Sequence, residues 1–143
     1  MIVISPFSKK LTTGKENPKN FPYWKELIAM IDEPIVQIGV TGEQQLCSDF
    51  RQNLPMEELK NLLKECRTWI SCDSFFHHLA WSEGKPGVVI WSISDPLIYG
   101  HPENINLLKD RSYLAPNQFL WWESYEFDAN RFLTAKEVFQ AIP

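Results

Sequence analysis

Ser8, Lys9, Lys19, Glu43, Asp73, Ser74, His78 and His101 are the side chains through which this sequence can do chemistry. Their types suit holding an anion rather than a metal. A lysine ammonium is a point charge for phosphate oxygens, a serine hydroxyl and the free N–H groups of a helix start are neutral donors, and a carboxylate accepts from hydroxyls. Asp73-Ser74-Phe75-Phe76-His77-His78-Leu79-Ala80 is the densest group. With Ser74 at a helix start, His78 four residues on lies on the same face, so both can touch one phosphate. The plainer alternative is that Asp73 and Ser74 cap the helix and one histidine is a surface residue.

Lys9 and Lys10 follow Ser5-Pro6-Phe7-Ser8, where a phosphate clamp would be useful, although loop lysines are commonly only solvated. His101-Pro102-Glu103-Asn104 either forms a lip over the ligand with His101 as a donor or is ordinary turn chemistry. The histidines form no H-x-x-x-H pair, and adjacent His77 and His78 are expected to point in different directions, so neither a metal nor a separate cofactor is expected.

The elements that must position these groups read as alternating strand and helix. Residues 2–5, 34–39, 68–71 and 88–91 are short apolar runs of the kind buried in a parallel sheet. Phe21, Trp24, Leu27, Ile28 and Ile31 recur at helical spacing, with Pro22 in the first turn. Met56, Leu59, Leu62 and Leu63 mark a second helix, and Phe75 to Glu83 a third. A short helical turn is expected after Thr41-Gly42-Glu43, and Asn104 to Leu108 reads as one more strand. Thr134, with Glu137 three residues later, predicts a capping box opening a last helix. The fold class expected is α/β, a Rossmann-like parallel sheet flanked by helices, in one domain over residues 1–143. In such a sheet, ligands bind beyond the carboxyl ends of the strands, which is where most of the polar residues named above fall.

A formal charge of −4 argues against general nucleic-acid binding, while lysines 9, 10, 15, 19 and 25 gathered in one early stretch favour a small anion. Cys47, Cys66 and Cys72 fit neither zinc spacing nor a disulfide framework and read as reduced thiols. No apolar run nears the roughly 20 residues of a membrane span, and the start lacks a basic leader, so a cytoplasmic location is expected. Phe119, Trp121, Trp122, Tyr125 and Phe127 are read first as core packing of the late segment, with base stacking or a partner surface as alternatives.

The ordered motifs resemble the carboxyl-terminal, nucleotide-sugar-binding half of the family 9 glycosyltransferases, the heptosyltransferase-like enzymes of GT-B architecture. Asp73 to Ala80 is similar to that family's Asp-(Ser/Thr)-Gly-x-x-His-x-Ala, with Phe75 in place of the glycine. Pro18-Lys19-Asn20-Phe21-Pro22 resembles its Lys-x-Trp-Pro step into a helix, and Gly42-Glu43 its small-residue-then-Glu loop. Lys85-Pro86, Val88 to Trp91 and Ser94-Asp95-Pro96 continue the series, while Ser92-Ile93 stands where many members have Gly-Pro. The likeness runs from residue 1 to about residue 100.

The resemblance implies a nucleoside diphosphate sugar as ligand, with Lys19 near the phosphates, Glu43 near the ribose or base, and Asp73, Ser74 and His78 near the pyrophosphate and sugar. The family's amino-terminal acceptor domain has no counterpart in these residues. Sugar transfer would then need a second copy, as in a homodimer, or a partner protein to complete the cleft. The alternative is a non-catalytic protein that sequesters or senses a nucleotide or nucleotide-derived signal.

Overall fold

The computed structural model of the protein describes residues 1–143. Six strands, β1 (Ile2–Ser5), β2 (Ile35–Gly39), β3 (Asp49–Gln52), β4 (Thr68–Cys72), β5 (Val88–Ile90) and β6 (Ile105–Leu107), form one sheet in the order β3-β2-β1-β4-β5-β6. Every pairing is parallel. The helices are α1 (Trp24–Met30), α2 (Met56–Glu65), α3 (Phe75–Ser82), α4 (Pro96–Tyr99) and α5 (Ala135–Ala141). The expected α/β, Rossmann-like sheet is thus present.

The inner strands are largely apolar because both faces of the sheet are covered there, and alternate residues serve opposite faces. Val3, Trp69 and Val89 pack with Leu59 and Leu63 of α2 and Phe76 of α3. Their neighbours Ile2, Ile4, Ile70, Val88 and Ile90 pack with Trp24 and Leu27 of α1 and Val138 of α5. No helix is long and apolar enough to cross a membrane.

Glycine 87 admits the core tryptophan. A methyl group there would overlap the indole of Trp69, which is fully buried and donates Nε1–H to the Lys85 carbonyl at 2.9 Å. Gly87→Ala is expected to lower the unfolding free energy by on the order of 1 kcal/mol, the usual result of overpacking, as read from urea denaturation.

Two local expectations need correction. Instead of a helical turn after Glu43, the chain makes a turn and then adds β3, whose Asp49-Phe-Arg-Gln52 sequence is polar because an edge strand is half solvated. Pro22 lies ahead of α1, which starts at Trp24 with Tyr23 as its cap residue. The short α4 is set by Asp95, whose side chain accepts from the Leu97 N–H, with Pro96 following at the first helical position. The capping box on α5 forms as expected, between Thr134 and Glu137.

Candidate ligand-binding site

From β1 the chain builds outward through β2 to β3, and from β4 it builds the other way through β5 to β6. The strand order therefore reverses between β1 and β4, and the loops leaving their carboxyl ends diverge to leave a crevice. A cleft of about 840 Å³ opens there, within the range that holds nucleotide-sized ligands. Ser8, Lys9, Lys19, Glu43, Asp73, Ser74 and His78 all line it. His101 does not; it stands behind His78.

Two buried asparagines fold the long loop after β1 so that both lysines reach the cleft. Asn20 Oδ1 accepts from the Ser8 N–H at 2.8 Å, Asn17 Nδ2 donates to the Lys9 carbonyl at 2.8 Å, and the Lys19 N–H donates to Asn17 Oδ1 at 2.9 Å. Trp24 Nε1–H holds the loop's start through the Pro6 carbonyl, and the Ser92 hydroxyl ties its end through the Pro18 carbonyl. Ser92 occupies the loop after β5, so this tether joins the two sides of the crevice. Neither Asn17 nor Asn20 stood out in the sequence, because an asparagine in a Pro- and Gly-containing loop reads as turn chemistry.

Lys19 Nζ lies 2.8 Å from Asp73 Oδ2, and Asp73 Oδ1 lies 3.3 Å from His77 Nε2. Burial penalises the Asp73 carboxylate, but the His77 hydrogen bond and the Lys19 charge outweigh that penalty and hold the group below the usual carboxylate range. A carboxyl depressed on folding stabilises the protein above its unfolded value, near 4, and that contribution is lost as pH falls through the folded value. Urea unfolding between pH 6 and pH 2 should therefore show a smaller acid loss in Asp73→Asn than in the wild type.

Glu43 reaches the cleft from the turn after β2. Gln37, fully buried in β2, anchors the following chain by accepting from the Leu46 N–H at 2.7 Å and donating to the Gln44 carbonyl at 2.8 Å. The Glu43 carboxylate folds over Gly39, where a methyl group would collide with it. Burial raises the Glu43 carboxyl above its ordinary value.

Ser74 is the cap residue of α3, yet its side chain makes no capping bond. Its Oγ is shielded from solvent and has no hydrogen-bond partner. The thiol of Cys72, kept protonated by burial, is a polar neighbour without the geometry of an ordinary hydrogen bond. The sequence offered two roles for Ser74, and the structure lacks the capping bond that the plainer one requires. Phe75, at the first position of α3, also lines the cleft and is exposed.

The late segment forms the outer wall of the cleft, and the expectation of core packing there is corrected. Phe119 and Trp121 are 81% and 68% exposed, while Phe127 packs against the core and Trp122 turns towards the site. Gln118 fastens this wall to the loop after β5, donating to the Ile93 carbonyl at 2.8 Å and accepting from the Asp95 N–H at 2.7 Å. Trp122 then lies over Lys19, with Nζ 4.1 Å from its ring centroid, and Lys9 pairs with Glu123. Tyr99 joins the lining from the segment after β5, and Arg51, Asn53 and Gln118 join it without having been anticipated. These three come from segments with no periodic pattern or from the polar edge strand.

The histidines also depart from expectation. The rings of His77 and His78 lie 3.9 Å apart, and His78 Nδ1 is 2.8 Å from His101 Nε2. Adjacent helical residues diverge, but the loop before β6 brings His101 back against both. Burial and the neighbouring imidazoles lower the tendency of His78 and His101 to protonate.

No protein-family profile matches the sequence, and no curated protein matches it. Among solved structures, ADP-heptose LPS heptosyltransferase II of E. coli superposes with a TM-score of 0.68 at 15% identity, over 97% of this chain and 44% of that one. The iron-containing dodecameric heptosyltransferase TibC, in complex with ADP-D-β-D-heptose, gives 0.62 at 17% identity, over 94% of this chain and 35% of that one. TibC from enterotoxigenic E. coli H10407 gives 0.61 at 18% identity, over 94% and 36%. The chain has the fold of one half of a heptosyltransferase. It spans between 35% and 44% of the length of these neighbours, so the heptosyltransferase-like part is a half-domain carrying its own crevice.

Proposed function

We propose that the crevice binds a nucleoside diphosphate sugar, with the diphosphate over the amino terminus of α3 between Lys19 and Ser74. Glu43 takes the nucleoside side, where a carboxylate accepts from ribose hydroxyls or base N–H groups, and His78 takes the sugar side. Asp73 acts through Lys19, whose ammonium it holds in place. Ser8 and Lys9 lie at the phosphate edge. The observation that carries this reading is the buried, partnerless Ser74 hydroxyl beside Lys19 in one cleft, at a helix end whose free N–H groups favour an anion. The likeness to heptosyltransferases, one of them in complex with an ADP-sugar, supports a sugar nucleotide over a bare phosphate.

In glycosyl transfer these groups would stabilise the departing diphosphate, since α3 and Lys19 are aimed where negative charge grows as the anomeric bond breaks. The acceptor site and its base would lie outside these 143 residues, with a second copy or a partner protein among the sources. The non-catalytic reading has one observation of its own, Phe75 at the start of α3, which adds bulk where a phosphate would approach the backbone.

Thermal unfolding against ADP-, UDP- and GDP-sugars and the free nucleotides tests the proposal, because a ligand of the folded state raises the midpoint. A rise with a sugar nucleotide, followed by release of its nucleoside diphosphate when acceptors are added, supports the transferase. A rise confined to free nucleotides favours sequestration or sensing, and no rise at saturating ligand rejects the reading.

A further inference from the structure

We infer that His77, His78 and His101 form a binding site for a late first-row divalent cation of the zinc class, in the wall of the crevice. One ligand atom from each of the three lies within 4.8 Å of the others. The inference goes beyond nucleotide binding and does not depend on it.

His77 carries the argument. It is fully buried, its Nε2 faces the Asp73 carboxylate at 3.3 Å, and its Nδ1 is buried with no partner at all. A buried ring nitrogen left unpaired is a cost that folded proteins rarely accept without a reason. An imidazole held on one nitrogen by a carboxylate, with a lone pair free on the other, is the arrangement that orients a metal-binding histidine. Asp73 thereby fixes the tautomer of His77 on one side while it holds Lys19 on the other.

The other two rings are similarly placed. His78 Nδ1 and His101 Nε2 face each other at 2.8 Å, so that at most one proton lies between them and at least one lone pair is available. Trp81 stacks on His101 at 4.5 Å and 8°, and Trp91 packs edge-on to His77 at 5.4 Å, which limits how far the rings can swing. Tetrahedral zinc with bonds of about 2.0 Å places its ligand nitrogens about 3.3 Å apart. With ligand atoms up to 4.8 Å apart, the widest pair must close by about 1.5 Å on binding.

Donor chemistry selects the ion. Three neutral imidazoles suit Zn²⁺, Co²⁺, Ni²⁺ or Cu²⁺, whereas Mg²⁺ and Ca²⁺ require oxygen ligands, and the one nearby carboxylate is already shared between Lys19 and His77. Three protein ligands leave a fourth position open. Because His78 lines the crevice, an ion held here borders the space in which a ligand's oxygen atoms would lie.

The test uses the full chain without an affinity tag, stripped with a chelator and free of nucleotide. Titration with Co²⁺ is followed by visible absorption and by quenching of tryptophan emission, with Zn²⁺ binding measured by calorimetry. One ion per chain at micromolar affinity is expected, with a four-coordinate cobalt spectrum and no thiolate charge-transfer band. His101→Ala and His78→Ala should each weaken binding at least about tenfold. These variants are chosen over His77→Ala because their side chains are less buried, and circular dichroism melts verify that each folds. Millimolar or absent binding, affinity unchanged in both variants, or a thiolate band would overturn the inference.

Discussion

Lys19→Met is expected to destabilise the protein by about 3 kcal/mol, the usual result of removing one partner from a buried ion pair. It should also abolish the thermal shift given by any phosphate-bearing ligand. The side chains of Lys19 and Asp73 are 13% and 10% exposed, and their charged atoms lie 2.8 Å apart. Methionine fills similar space but leaves the Asp73 carboxylate with His77 alone, in a place where burial already opposes its charge. The stability loss therefore belongs mainly to the stranded carboxylate, and a double-mutant cycle can show it. Lys19→Met/Asp73→Asn should recover most of the lost stability, because both charges are then gone. It should recover none of the ligand response, because the ammonium is still missing. A double variant as unstable as the single one would show that the two groups are not coupled, and a retained ligand shift in either would remove Lys19 from the phosphate site.

How much of this was legible in the sequence depends on distance along the chain. The four apolar runs could be read as parallel strands because a sheet covered on both faces demands unbroken hydrophobicity, and the observed strands fall inside or within a residue of them. The capping box at Thr134 was legible for the same reason: both partners lie within one helical turn. Strand β3 escaped because Asp49 to Gln52 sits at the sheet edge, where pairing comes from the backbone and the side chains need not be apolar. The site divides in the same way. Seven of the eight proposed residues reach one cleft because each follows a strand end, and the sheet topology alone brings strand ends together. The pairing of Lys19 with Asp73, the packing of His101 against His78, and the placement of Trp122 over Lys19 all join segments far apart in sequence. No local pattern encodes such contacts, and the last depends on an irregular segment fixed by Gln118.

Ser74→Ala should separate function from folding more cleanly than any other single change. An ordinary serine cap contributes roughly 1 kcal/mol to its helix through a hydrogen bond to a backbone N–H. Ser74 makes no such bond, and its hydroxyl is buried without a partner. Alanine at this position removes an unsatisfied polar group rather than a contact, so the ligand-free protein should be as stable as the wild type or more so. Ligand binding should respond in the opposite sense. If the hydroxyl donates to a charged phosphate oxygen in the complex, its loss costs about 2 kcal/mol, or about thirtyfold in affinity. The prediction joins two measurements on one variant: unfolding in urea without ligand, and calorimetric titration with the sugar nucleotide found in the thermal screen. A destabilised variant would return Ser74 to the ordinary capping role. A variant of unchanged stability and unchanged affinity would leave the hydroxyl outside the site, and the diphosphate would then have to be sought elsewhere along the crevice. Stability retained with affinity lost is the result that this geometry requires, because a group that does nothing for the free protein is satisfied only when the anion arrives.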